Sequence, residues 1–116
     1  MSEGTCPELQ DYIKPLNEDL VKIETFFNAA KNGKEYNFVL DIQPFTERVD
    51  RHLAQLDDIK EAILKLPLMN ELKLQLLVLH LRELSVDCFF DKTSKKVFLD
   101  KFKAVQHDLH YLERKL

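Results

Sequence analysis

At 116 residues the chain is long enough to bury a core of its own, and a composition 45% apolar and 32% charged, with two glycines and four prolines, excludes a disordered or fibrous polymer. A net charge of -3 argues against nucleic acid as the default partner, and two cysteines are too few for a disulfide scaffold. The opening stretch MSEGTCPELQ lacks the basic and apolar regions of a signal peptide, and the longest apolar run, Leu76 to Leu79, is too short to span a bilayer. We therefore expect one domain over residues 1–116, cytoplasmic and not membrane-bound, with Cys6 and Cys88 as reduced thiols.

In the first segment Leu9, Ile13, Leu16, Leu20, Ile23, Phe27 and Ala30 recur at alternating steps of four and three, which keeps one stripe on one side of a helix. Thr5 to Glu8 fits a capping box, Pro7 suits a first turn, and Asn32-Gly33 supplies a stop, so the spacing predicts a helix over 7–31. Pro15 falls inside this pattern and demands either a kink or a start near Leu16.

The second segment follows the same rule through Ile42, Phe45, Val49, His52, Leu56, Ile59, Ile63 and Leu66, with His52 its one polar member. Pro44 fits a first turn and Pro67 a stop, which predicts a helix over 43–66, with Tyr36 to Asp41 as a lead-in turn or short helical piece.

The third segment contains LKLQLLVLHLREL, which alternates like a strand but is built of leucine, a helix former. Asn70 is a ready N-cap, with Met69 and Leu74 as a hydrophobic staple, so a helix is expected over 71–90. At about 100° per residue, Leu74, Leu77, Leu81, Leu84 and Cys88 form one stripe. Leu72, Leu76, Leu79, Val86 and Phe90 form a second, roughly 150° away. A bundle helix needs only one; the second calls for broad packing within the chain or for cover by another chain.

The fourth segment opens at Thr93-Ser94, either of which can cap, and its stripe of Phe98, Phe102, Val105, Leu109, Leu112 and Leu116 predicts a helix over 94–115. Four helices of about 22 residues, each roughly 33 Å long, joined by short loops, favour an all-α, antiparallel up-and-down four-helix bundle. In that topology Cys6 and Cys88 lie some 30 Å apart by helix rise, far beyond the roughly 7 Å between Cα atoms that a disulfide tolerates.

Tyr36-x-Phe38 followed by Ile42-x-Pro44, Glu83-Leu84, Lys95-Lys96-x-Phe98-x-Asp100 and Leu109-His110 carry a likeness that covers most of the chain beyond Leu16. In these residues the chain resembles the YppE-like family of small proteins from Gram-positive bacteria. The resemblance implies a four-helix bundle and a cytoplasmic location. It supplies no catalytic residues.

Candidate chemistry is sparse. Di-metal bundles need Glu-x-x-His pairs, and the sequence contains none. His107 and His110, three apart on one helix, could bind a metal but read more simply as solvated surface, while His52, on its stripe, reads as a hydrogen-bonded histidine at the edge of the core. Residues 92–116 hold seven Lys or Arg against three acids, so a basic C-terminal segment sits on an acidic body. Lys96, Asp100, Lys103, His107, His110 and Arg114 share the polar face of the last helix, but no aromatic side chains interleave them as nucleic-acid binding would favour. The expected function is a non-enzymatic protein-interaction module without a cofactor, using Leu72, Leu76, Leu79, Val86 and Phe90 to meet a protein partner or a second copy. The alternatives are a ligand- or metal-handling bundle using His52 or His107/His110, and weak nucleic-acid or acidic-partner binding through Lys96, Lys103, His107, His110 and Arg114.

Overall fold

A computed structural model describes residues 9–116. Its helices are α1 (Lys14–Lys31), α2 (Gln43–Gln55), α3 (Lys60–Leu64), α4 (Glu71–Asp87) and α5 (Lys95–Lys115), and the described residues contain no strand. The proposed capping box at Thr5 to Glu8 lies outside them. Within them the first helix begins at Lys14 rather than residue 7, after a separate 3-10 turn over Leu9–Tyr12. Pro15 explains the start, because its missing N–H costs nothing in a first turn and would break a hydrogen bond further along.

α1 stops where expected. Gly33 at φ +100 lets its own N–H reach the carbonyl of Ala30 and the N–H of Lys34 reach that of Ala29, each at 3.0 Å, so the helix closes in a Schellman arrangement. The next segment winds as a π-helical turn over Phe38–Ile42 that leads into α2. The Asn37 side chain accepts from the backbone N–H groups of Val39 and Leu40, and a carboxylate oxygen of Asp41 accepts from the N–H of Asn37, all at 2.9 Å.

The second rod departs from the continuous helix expected over 43–66. α2 gives way to a 3-10 turn over Leu56–Ile59, and only then does α3 follow. Asp57-Asp58 sits at the break; aspartate competes for backbone hydrogen bonds and weakens a helix interior. A 3-10 turn also aligns residues three apart, so Leu56 and Ile59 both stay buried while the winding changes. α4 ends at Asp87, three residues short of its expected end at Phe90, with Cys88 as its C-cap. Its N-cap is Asn70, whose side chain accepts from the Lys73 N–H at 2.9 Å, and Ser94 rather than Thr93 caps α5.

Cross-helix contacts fix the direction of each rod. Asn17 near the start of α1 donates to Glu113 near the end of α5, while Lys31 at the end of α1 donates to the carbonyl of Thr93, just before α5. Phe26 late in α1 meets Phe45 early in α2, and Phe45 in turn meets Phe89 just beyond α4. The Tyr111 hydroxyl, late in α5, donates to the carbonyl of Pro67, just before α4. Successive rods therefore run antiparallel around a core that draws on every rod. Toward the end of the bundle marked by Lys31 and Thr93, Phe27 and Phe98 stack with ring centroids 3.8 Å apart.

Candidate functional site

α4 carries the feature that sets this bundle apart. Leu74, Leu77, Leu81, Leu84 and Cys88 are all buried. On the other side, Leu72, Leu76, Leu79 and Val86 stay exposed, at 63%, 41%, 49% and 41%; Phe90, expected on the same stripe, falls beyond the end of the helix and is 47% exposed. Among the described residues, broad packing within the chain, one of the two ways to cover this stripe, does not occur. Glu83 shares this outer surface and is tied by a 3.0 Å ion pair to Lys101 on α5.

Along one border the stripe dips into a groove of about 410 Å³ between α4 and the broken second rod. Leu53, Leu56, Leu74, Val78 and Leu79 give it an apolar lining, with Lys60, Glu71 and Arg82 at its margin. Lys60 pairs with Glu71 at 2.8 Å, and Arg82 with Asp50 at 3.3 Å. The hydrogen bond to Glu71 raises the Lys60 pKa, which holds that ammonium charged. Asp57 also lines the groove, its charge acting on Lys60, so the groove combines apolar contact with charged side chains that mostly hold one another.

Just before α4, the N–H of Met69 donates to the carbonyl of Leu66 at 3.2 Å, across Pro67 and Leu68. Leu68 adopts φ 70, the left-handed value that the third position of a type II turn requires and that glycine normally supplies. The side chain of this strained residue is 75% exposed, and Lys73 donates to its carbonyl at 2.9 Å.

The histidine reading sharpens. His52 Nδ1 lies 2.5 Å from Oδ2 of Asp19, and Arg48 Nε donates to Oδ1 of the same carboxylate at 3.2 Å. Asp19 is fully buried on the inward side of α1, so its charge is held by two cations or donors from α2. A carboxylate can only accept, so the Nδ1 facing it carries the hydrogen. The acids nearest His52 in the chain, Asp50, Asp57 and Asp58, are not its partners among the contacts described; the partner comes from another helix, which no local pattern reveals.

Lys96, Lys103, His107, His110 and Arg114 all lie exposed along α5, as does Asp100 among them. His107 Nδ1 is 3.6 Å from Asp108. Among the described residues no group of three or more His, Cys, Asp or Glu side chains is placed to hold a metal ion. Cys88 is buried, its thiol directed at the carbonyl of Ser85 at 3.6 Å, and burial pushes its pKa well above the ordinary thiol value, which suppresses the nucleophilic thiolate. The comparison with Cys6 lies outside the described residues. No described helix is long and apolar enough to cross a membrane.

A second exposed apolar group escaped the sequence reading. Phe38, Val39 and Leu40 are 64%, 65% and 76% exposed on the π-helical turn. The available signal was three consecutive apolar residues after Asn37, too many for one buried face.

The profile of a bacterial domain of unknown function, DUF1798, matches residues 13–116. The chain belongs to the DUF1798 family. Among solved structures, a DUF1798 protein from Staphylococcus aureus shares 30% identity at a TM-score of 0.87, over 92% of this chain and 94% of that one. A protein of unknown function from Listeria innocua, at 19% identity, covers 92% and 89% with a TM-score of 0.85. The protein yppE from Bacillus subtilis, also 19% identical, covers 97% and 98% with a TM-score of 0.83. These last two share the fold. No curated protein matches the chain. The likeness to YppE-like proteins read from Tyr36-x-Phe38, Ile42-x-Pro44 and the later motifs is thus the DUF1798 relationship.

Proposed function

We propose that this DUF1798 protein is a non-enzymatic, cytoplasmic interaction module that receives an apolar helix on the outer face of α4. One observation carries the reading: four large apolar side chains, Leu72, Leu76, Leu79 and Val86, line one side of α4, with Phe90 just beyond its end, and all five are at least 41% exposed. Contiguous exposed apolar surface of this kind costs solubility and is found where a partner covers it. Rows at helical spacing suit a partner helix, which would lay its own stripe along this one. Nothing in the surroundings favours chemistry: the buried thiol is held protonated, Asp19 and His52 are engaged with each other, and Lys60 and Arg82 at the groove's margin are paired with Glu71 and Asp50.

The test is site-specific photo-cross-linking in living cells of the native host, with a photoreactive side chain at Leu79 and a control at Lys103 on the charged back of α5. A discrete adduct from Leu79 that Lys103 does not give supports the reading. Equal labelling from both positions, or none from Leu79, overturns it.

A further inference from the structure

We infer that the helix received on this face is α4 of a second copy of the chain, packed antiparallel about a two-fold axis near Leu79 and His80. This rests on the docking reading above and names its partner.

The distribution of charge along the stripe selects the arrangement. Lys73 flanks its N-terminal half and Asp87 its C-terminal half, while Glu83 lies within the row between Leu79 and Val86, tied to Lys101. At about 100° per residue, Lys73, His80 and Asp87 fall on the same border of the stripe. Two copies related by a two-fold axis between Leu79 and His80 place Leu72 beside Val86 and Asp87 of the other copy, and Leu79 beside its counterpart. Lys73 then lies next to Asp87 of the second copy, and the symmetry makes that pair twice. A parallel two-fold pairing would turn this border of the two copies to opposite sides of the contact, so it makes no Lys73–Asp87 pair.

The state of Asp87 in the single chain fits. Its pKa is raised, first by burial and then by the charge of Glu83, against the lowering influence of Lys101. It is an incompletely compensated carboxylate at the rim of an apolar face, and a lysine from a facing helix would relieve it. Lys73 meanwhile is exposed and holds only the carbonyl of Leu68.

The size of the face sets the strength. A helical strip about 25 Å long and about 10 Å wide presents a few hundred Å², less than the roughly 800 Å² per partner of a standard interface. The assembly is accordingly a reversible, concentration-dependent dimer rather than an obligate one.

Analytical ultracentrifugation of the full chain, from about 10 μM to about 1 mM, provides the test, since affinities in this range correspond to the weak end of specific association. The mass should rise from one chain toward two. Leu79→Lys should hold the chain monomeric throughout while leaving its thermal midpoint unchanged. Lys73→Glu and Asp87→Lys should each weaken self-association about two- to tenfold at low salt, and the two together should recover at least half of that loss on a logarithmic scale. A monomer at 1 mM, a dimer indifferent to Leu79→Lys, or a double variant weaker than either single one would overturn the second-copy assignment. If the chain is monomeric while the Leu79 cross-link in cells yields an adduct of some mass other than two copies, the docking reading stands and only its assignment to a second copy falls.

Discussion

Two places in this bundle break the inside–outside rule in opposite senses. On α1 a carboxylate, Asp19, is fully buried; on α4 a row of leucines, with Val86, is in water. The first violation is resolved within the chain, because Arg48 and His52 of α2 reach both carboxylate oxygens. The second has no such resolution: the α4 row lies opposite the stripe that faces the core, and the described chain leaves it uncovered. A buried charge without partners would prevent folding, whereas an exposed leucine row costs the monomer little, so the fold compels an internal solution to one and permits an external solution to the other.

Four substitutions break or sharpen that contrast. The largest effect belongs to the inner stripe of α4: Leu81→Ala should lose about 2–5 kcal/mol in denaturant unfolding, the usual cost of a buried leucine. His52→Ala should cost about 1–3 kcal/mol, because it leaves a buried carboxylate one donor short, and a double-mutant cycle with Asp19→Asn should show that the two effects are not additive. If His52→Ala proves neutral, Arg48 alone suffices for Asp19 and the histidine contributes little to the internal solution.

Leu68→Gly should gain up to about 1 kcal/mol, since glycine removes left-handed strain at a site with little burial to lose, although its greater freedom in the unfolded chain offsets part of the gain. Smallest is Leu79→Lys, expected within about 0.5 kcal/mol of the parent under dilute, monomeric conditions. A loss comparable to that of Leu81→Ala would mean that the outer row is packed after all, and the contrast would collapse.

Asp87 adds a pH dependence with a definite sign. Its folded pKa is raised, so its contribution favours the fold at low pH and is lost as pH rises through the folded value. Asp87→Asn should therefore leave the melting temperature unchanged in acid and raise it slightly at neutral pH, measured by circular dichroism. A variant less stable than the parent at neutral pH would show that Lys101 outweighs burial at this carboxylate.

The stripes were legible because helix packing enforces a period, and the buried sets on α1, α4 and α5 follow from spacing alone. Both faces of α4 were legible for the same reason. What spacing could not show was Asp19, since its environment is made by Arg48 and His52 from another helix, nor the break at Leu56–Ile59, because a 3-10 turn preserves a three-residue step and leaves the apolar pattern intact. The lead-in to α2 was foreseen as a turn or a short helix, but the exposure of Phe38, Val39 and Leu40 depends on how Asn37 and Asp41 hydrogen-bond around it.

Cys88 makes the molecule its own clock. Its sulfur is sealed in the core and held protonated, so a thiol reagent can reach it only when the end of α4 comes away from the bundle. In a Cys6→Ser background, the labelling rate of this one atom measures how often the structure opens there, with no attached probe. Comparing that rate in dilute and concentrated solution would show whether covering the far side of the same helix also slows the opening of its near side.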